Sequence, residues 1–269
     1  MGMKKIFVDV FMLICIILFL FSAWKLWGIY QEYKEARKEY EQLREYIQSS
    51  DETDSGLSDG LGEGGEKGGD ASEQSAPIRV DFDKLRELNP EIVGWIYIAG
   101  TSINYPVLQT EDNDYYLHHT YERKENRSGA IFMDCHCDRR GDSQNTILYG
   151  HNMKDGSMFG SLKKMYDIDY NAQADFRQHP FIWLITPTGA TEYEIYACRE
   201  INLQEKEDRE VYLVDAGSEE EYQSYLNLQK SKAQYDTGVS PQASRKMLTL
   251  STCTSGTRDG RFVVQAIER

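Results

Sequence analysis

Residues 6–27 constrain this chain more than any other stretch, because they are apolar except at Asp9, Ser22 and Lys25. A helix of that length crosses a hydrocarbon core of ~30 Å. Lys4 and Lys5 precede the run, and Trp24 and Trp27 fall where an interfacial aromatic belt would lie. A cleaved signal peptide is the competing reading. The run exceeds a typical signal-peptide core, however, and Phe21-Ser22-Ala23 is a poor small-x-small cleavage site. The expectation is an uncleaved, single-pass signal-anchor over 6–27, with residues 1–5 in the cytoplasm and everything after Trp27 outside the cell. Lys25, Lys34, Arg37 and Lys38 on the far side make the charge asymmetry small.

Beyond the anchor, residues 31–48 are charged and free of Gly and Pro, with Tyr33, Ala36, Tyr40, Leu43 and Ile47 recurring at three- and four-residue steps. That pattern predicts a juxtamembrane helix over 28–48, too short for a coiled coil. Residues 49–77 are acidic, rich in Gly and Ser and almost without apolar side chains, so they read as a flexible linker. The folded domain is then expected over 78–269. The chain is 40% hydrophobic and 12% aromatic, enough for a substantial core. Its 44 acidic against 30 basic residues give a formal charge of −14, which repels phosphate backbones and argues against a nucleic-acid partner.

Within the folded domain, Phe82, Leu85 and Leu88 mark a short helix that stops at Asn89-Pro90. Short β-branched and aromatic segments follow at 92–98, 102–107, 130–133, 146–149, 181–186, 192–199, 247–252 and 262–267, separated by turn residues. Many short strands at modest spacing predict a mainly β fold, a closed or nearly closed barrel. One long interruption, 201–239, contains Ser218 followed by Glu219-Glu220-Glu221. This is a capping box with Ser218 as N-cap and Glu221 at N3, so a helix inserted between two strands is expected there.

The five cysteines, Cys15, Cys135, Cys137, Cys198 and Cys253, show no framework of paired spacings, so at least one free thiol is expected. Cys253 ends the run Met247-Leu248-Thr249-Leu250-Ser251-Thr252. Strand alternation puts it on one face with Thr249 and Ser251, opposite Leu248 and Leu250. After the polar loop 254–260 a second strand starts at Arg261. A thiol and a guanidinium across a hairpin can share one barrel mouth, although a lone Cys is more often a small buried hydrophobe. His151 lies just past the apolar strand 146–149 and shares a face with Tyr149. A His there is often only a surface side chain, but paired with a thiol it can hold the thiolate and protonate a leaving amine. The order His before Cys does not fit papain-like proteases.

At these residues the chain resembles the class B sortases, cysteine transpeptidases of Gram-positive bacteria. The resemblance rests on 146–153 (TILYGHNM), 248–253 (LTLSTC), Arg261 with Phe262-Val263-Val264, Gly94-Trp95-Ile96, and 112–117 (DNDYYL). It covers about 82–267 and includes the long helical insertion. It implies an eight-stranded sortase β-barrel with accessory helices, preceded by the transmembrane helix and stalk. It implies cleavage of an Asn-Pro-x-Thr-type sorting motif in secreted surface proteins through a thioacyl-enzyme. The acyl group would pass to an amine of a cell-wall peptidoglycan precursor or to a pilin lysine. Carried over by residue, Cys253 is the nucleophile, His151 the acid/base and Arg261 the electrostatic clamp. Asn113, Leu117, Tyr149 and Ser251 line the substrate groove, and Thr254 lends a backbone N–H to the oxyanion. A monomer without cofactor or metal is expected.

Three features receive the blander reading. Cys135-His136-Cys137 lacks the second Cys or His pair of a tetrahedral zinc site. His118-His119 reads as a surface or groove-edge pair. The acidic stretch 205–210, diluted by Lys206 and Arg209, reads as a solvated loop. The rival functions are an extracellular binding module with a structural Cys253, and a cysteine hydrolase that passes its acyl group to water.

Overall fold

The computed structural model describes residues 2–49, 76–254 and 258–269. It divides into two compact units, up to Gln42 and from Leu43 onward. The first unit is one helix, α1 (Gly2–Gln42), 41 residues long. Its apolar part has a mean hydropathy of 2.8 and is long and apolar enough to cross a membrane. The stretches expected as anchor and juxtamembrane helix are thus continuous. Gly28 does not interrupt them, and an added Cβ there would meet nothing within 4 Å.

The helix stops at Gln42, short of the expected 48, because the next residues are recruited by the second unit. Leu43–Tyr46 form a 3-10 turn in which Leu43 is fully buried. Strand β1 (Ile47–Ser49) then pairs antiparallel with β2 (Ile78–Val80), Ile47 opposite Val80, and the Asp81 N–H reaches the Tyr46 carbonyl at 3.0 Å. Leu43 and Ile47 have helical spacing, but burial and strand pairing outweigh an exposed helical turn. Most of the expected linker, 50–75, lies outside the described residues.

Asp81 caps α2 (Phe82–Leu88) by accepting from the Lys84 N–H, and Asn89 ends it in extended backbone ahead of Pro90, as the sequence requires. Phe82 and Leu85 bury their face of this helix. Eight strands follow, one for each apolar segment read from the sequence: β3 (Ile92–Tyr97), β4 (Asn104–Leu108), β5 (Ile131–Met133), β6 (Asn145–Tyr149), β7 (Phe181–Thr186), β8 (Gly189–Asn202), β9 (Met247–Cys253) and β10 (Gly260–Glu268). They close into a barrel in the order β10-β8-β7-β3-β4-β5-β6-β9. The β4–β5 and β6–β9 pairs are parallel and the rest antiparallel. Closure removes free sheet edges, the usual liability of a small all-β domain. Gly94 in β3 is needed for the pairing with β7, since a Cβ there would sit 3.0 Å from the Ile185 carbonyl oxygen.

β9 is buried on both faces. Leu248 and Leu250 are fully buried, and so is Thr249, with Ser251 nearly so, on the opposite side. Two short helices, α3 (Tyr115–His118) and α4 (Leu162–Tyr166), lie between strands, and the polar side of β9 is sealed by the insertion between β8 and β9, which contains α5 (Lys206–Arg209) and α6 (Glu219–Ser231). Ser218 accepts from the Glu221 N–H as expected of the N-cap, while the Glu221 carboxylate reaches back one residue further, to the Gly217 N–H. Tyr222, Tyr225 and Leu226 of α6 pack on Tyr196, Ala197, Met247 and Ile267. Tyr225 donates to the Val211 carbonyl at 2.9 Å and Tyr222 to that of Gln144 at 2.8 Å. The apolar contacts and the Tyr222 bond fasten the insertion to the barrel wall, and the Tyr225 bond ties α6 to the earlier part of the insertion.

Burial of Leu43 alone is worth about 2 kcal/mol of apolar transfer. A fragment spanning 43–269 should therefore melt several degrees above one spanning 77–269, roughly 4–8 °C for a domain of this size. Equal melting temperatures by calorimetry would mean that the 3-10 turn and β1 contribute nothing to the fold.

Candidate active site

Strand register brings together the three residues expected to react. In the parallel β6–β9 pair, Tyr149 lies opposite Ser251, and the Gly150 N–H continues the ladder to the Ser251 carbonyl at 3.2 Å. Two residues further on each strand, on the same faces, stand His151 and Cys253. In the antiparallel β9–β10 pair, Cys253 lies directly opposite Arg261. His151, Cys253 and Arg261 thus come from neighbouring strand ends and line one cavity of about 290 Å³, together with Asn113, Leu117, Tyr149 and Ser251.

Local detail fixes each of the three. Gly150 brings His151 close to the barrel wall: an added Cβ would fall 2.4 Å from Ile131 Cδ1 and 2.7 Å from Phe159 Cδ2. His151 Nε2 lies 2.7 Å from the Leu117 carbonyl, which follows from the position of α3 (Tyr115–His118). A carbonyl only accepts, so Nε2 carries the hydrogen, and in the neutral ring Nδ1 is the nitrogen left to exchange a proton. The Asn152 amide donates to the Cys253 carbonyl at 2.8 Å, a side-chain bridge between the segments carrying His151 and Cys253 that sequence periodicity does not reveal. Arg261 Nη1 donates to the carbonyls of Arg258 (3.0 Å) and Gly260 (2.8 Å). The head of the guanidinium is therefore held by its own hairpin. Arg258 is exposed.

The cavity walls hold further residues absent from the expectation. Leu203 and Tyr212 reach it from the β8–β9 insertion, and Phe132 from β5. Tyr212 shares a 2.8 Å hydrogen bond with Ser251 through their hydroxyls, and its ring lies 5.7 Å from that of Tyr149. Sequence periodicity could not find Leu203 or Tyr212, because irregular insertions carry no pattern that aims a side chain. The Tyr149 hydroxyl donates to Asp134 at 2.8 Å; burial and that carboxylate push its pKa well above the ordinary phenol value. Asn113 is held through both ends of its amide: Nδ2 donates to Asp134 at 2.9 Å and Oδ1 accepts from the Cys135 N–H at 2.8 Å.

One expected role is displaced. The Thr254 N–H is already donated to the Gly260 carbonyl at 3.1 Å, closing the hairpin, so it is not a free oxyanion donor, and Thr254 does not line the cavity. Residues 255–257 of the same loop lie outside the described residues. The acidic stretch 205–210 is solvated as expected, with only Asp208 half-buried, but it is not a loop. It forms α5, and Asp208 pairs with the buried Arg199 at 2.6 Å and accepts from the Asn202 N–H. His119 stacks on Tyr115 at 4.0 Å, and His118 stays at the surface. In the Cys135-His136-Cys137 run, Cys137 turns inward, against the Asn145 carbonyl and the Ile147 N–H. The ligand-type atoms that converge are those of Asp134, Cys135 and His136, within 4.8 Å of one another.

A closed eight-stranded barrel with a thiol, an imidazole and a guanidinium gathered at one mouth has the makings of a thiol-dependent acyl-transfer enzyme. Comparison with known proteins gives the family. The sortase domain model matches residues 96–268. Sortase B of Listeria monocytogenes is 36% identical over 70% of this chain and 74% of its own length. A crystal structure of sortase B from Bacillus anthracis is 33% identical over 89% of this chain and 99% of that one, with a TM-score of 0.67. A Staphylococcus aureus sortase B–substrate complex is 30% identical over 70% of this chain and 84% of that one, at a TM-score of 0.62. The chain belongs to the sortase family of cysteine transpeptidases, and its relatives set it among the class B sortases.

Burial pushes the thiols of Cys137 and Cys198 up to about 12 and also raises that of Cys135. A thiol of pKa ~12 is about one part in 10⁵ thiolate at neutral pH, and the thiolate is the reactive form. Iodoacetamide at pH 7 should therefore label Cys253 first within the barrel domain and leave Cys137 and Cys198 unmodified until the protein unfolds. Peptide mass mapping checks this. Early labelling of Cys198 would contradict its burial.

Proposed function

We propose that this class B sortase cleaves an Asn-Pro-x-Thr-type sorting motif in secreted proteins and transfers the acyl group to an amine of a cell-wall precursor. Cys253, His151 and Arg261 are the reactive residues. The observation that carries the reading is the register of β6, β9 and β10, which brings these side chains to one cavity. That a Staphylococcus aureus relative is known as a sortase B–substrate complex supports a substrate-cleaving role for this chain.

In the forward half-reaction the Cys253 thiolate attacks the carbonyl carbon of the motif's Thr, forming a C–S bond and placing negative charge on the carbonyl oxygen. Arg261, its Nη1 held by the hairpin, offsets that charge with donors aimed in advance. The C–N bond then breaks as the His151 imidazolium gives its proton to the leaving amine, and a thioester remains on Cys253. In the second half an acceptor amine attacks the thioester. Its proton goes to His151, and the thiolate of Cys253 is regenerated as the new amide forms. Asn113, Leu117, Tyr149 and Ser251 line the groove that receives the motif. The helix α1 anchors the chain, with Lys4 and Lys5 on the cytoplasmic side and the barrel outside. Protease added to intact protoplasts should then degrade the barrel, and full protection would reverse that orientation.

Cys253→Ala should abolish cleavage of an Asn-Pro-x-Thr peptide with little change in melting temperature, while Cys198→Ala should retain turnover. Arg261→Ala should lose about a hundredfold or more, the usual cost of a preorganised oxyanion donor. Arg261→Lys should recover little, because an ammonium cannot reproduce the planar fork. Arg258→Ala should change turnover by no more than a few-fold, as expected for a solvent-screened charge. A larger loss at Arg258 would move the clamp. Product analysis with and without an added amine separates transfer from hydrolysis: a product indifferent to amine would make this a hydrolase.

A further inference from the structure

Beneath the groove lies a carboxylate that the mechanism above does not use. Asp134 directly follows β5, is 5% exposed, and continues the β5–β6 ladder by donating its N–H to the Ile147 carbonyl at 2.9 Å. Its two oxygens do different work. Oδ1 accepts from the His136 backbone N–H at 2.9 Å and faces His136 Nδ1 at 2.9 Å, shaping the turn that leaves the strand. Oδ2 accepts from Asn113 Nδ2 at 2.9 Å and from the Tyr149 hydroxyl at 2.8 Å. Asn113 and Tyr149 both line the cavity but come from a loop and a strand end far apart in the chain. Oδ2 ties them together.

We propose that Asp134 is a positioning residue for the substrate groove, using Oδ2 to fix the hydroxyl of Tyr149 and the amide of Asn113 in one orientation. The inference rests on the reading of this cavity as the peptide groove. Each donor committed to Asp134 defines what remains for the substrate. The Tyr149 hydroxyl has given its hydrogen to the carboxylate, so toward the groove its oxygen only accepts. Asn113 Nδ2 retains one hydrogen, so it still donates. The groove wall thus presents a fixed acceptor and a fixed donor, which suits a partner carrying both, such as a peptide bond or a carboxamide. Burial acts to raise the pKa of Asp134, but hydrogen bonds from the His136 N–H and the Tyr149 hydroxyl outweigh it and hold the carboxyl below its ordinary value. It therefore stays ionised, and an acceptor at both oxygens, at neutral pH. A buried charge held this way is costly to strip of its partners and so resists rearrangement.

Two substitutions separate the two oxygens. Asp134→Asn keeps an acceptor for the His136 N–H but turns a donor toward the donors of Tyr149 and Asn113. Asp134→Ser keeps the turn-forming acceptor and removes Oδ2 altogether. With the full chain in detergent micelles and an Asn-Pro-x-Thr peptide, both variants should raise KM about tenfold or more and leave kcat within about threefold. Tyr149→Phe should mask the effect: added to that background, Asp134→Asn should cost only a few-fold more in KM, a coupling that a purely structural role would not produce. Unchanged KM in Asp134→Ser overturns the proposal. So does full additivity with Tyr149→Phe, or a loss confined to kcat. A wild-type chain that fails to cleave the peptide, or a Cys253→Ala chain that still does so, overturns the groove reading instead.

Discussion

The site depends on one pairing, the parallel alignment of β6 with β9. Parallel neighbours carry equivalent positions to the same end of a sheet, so two residues past the Tyr149–Ser251 pair the chain must present His151 and Cys253 side by side. An antiparallel pairing of the same strands would send the two side chains to opposite ends of the barrel. The antiparallel β9–β10 hairpin then adds Arg261 opposite Cys253. Every element that stabilises this three-strand block also sets the chemistry, because a register slip of one residue would turn Cys253 to the other face.

That block could not stand alone in water. The face of β9 that carries Cys253 also carries Thr249 and Ser251, and both are buried under the insertion between β8 and β9. Buried hydroxyls require partners. Thr249 donates to Asn145 Oδ1, whose amide in turn donates to the Leu213 carbonyl, and Ser251 pairs with Tyr212. The insertion thus covers the polar side of the strand by hydrogen bonds, and it stops short of the strand end, where Cys253 and Arg261 are half-buried. It closes the groove on one side with Tyr212 and Leu203 while leaving the thiol open to the cavity.

The other wall is built on Asp134, and the two walls meet where the rings of Tyr149 and Tyr212 approach each other. A groove with both walls fixed by buried polar contacts is preorganised, which, under the proposed function, lowers the entropy that substrate binding must offset. The bridge from Asn152 to the Cys253 carbonyl and the bond from His151 to the Leu117 carbonyl extend the same principle to the segments that carry the thiol and the imidazole.

Much of this was determined by the sequence itself. Eight apolar segments became eight strands, Ser218 capped its helix, and Asn89-Pro90 ended another, because alternation, capping and proline geometry act over a few residues and need no distant partner. That His151, Cys253 and Arg261 would meet at one mouth of the barrel was legible because motif and strand phase coincided. What tertiary structure alone decided was long-range. Leu43 and Ile47 have helical spacing, yet burial and the pairing with β2 carried them into a turn and a strand. Thr254 looked free, but closing the hairpin consumed its N–H. Asp134, Tyr212 and Asn152 carried no signal, since a side chain's partners across 15, 39 or 101 positions are fixed only when the barrel closes and brings those segments within hydrogen-bonding distance.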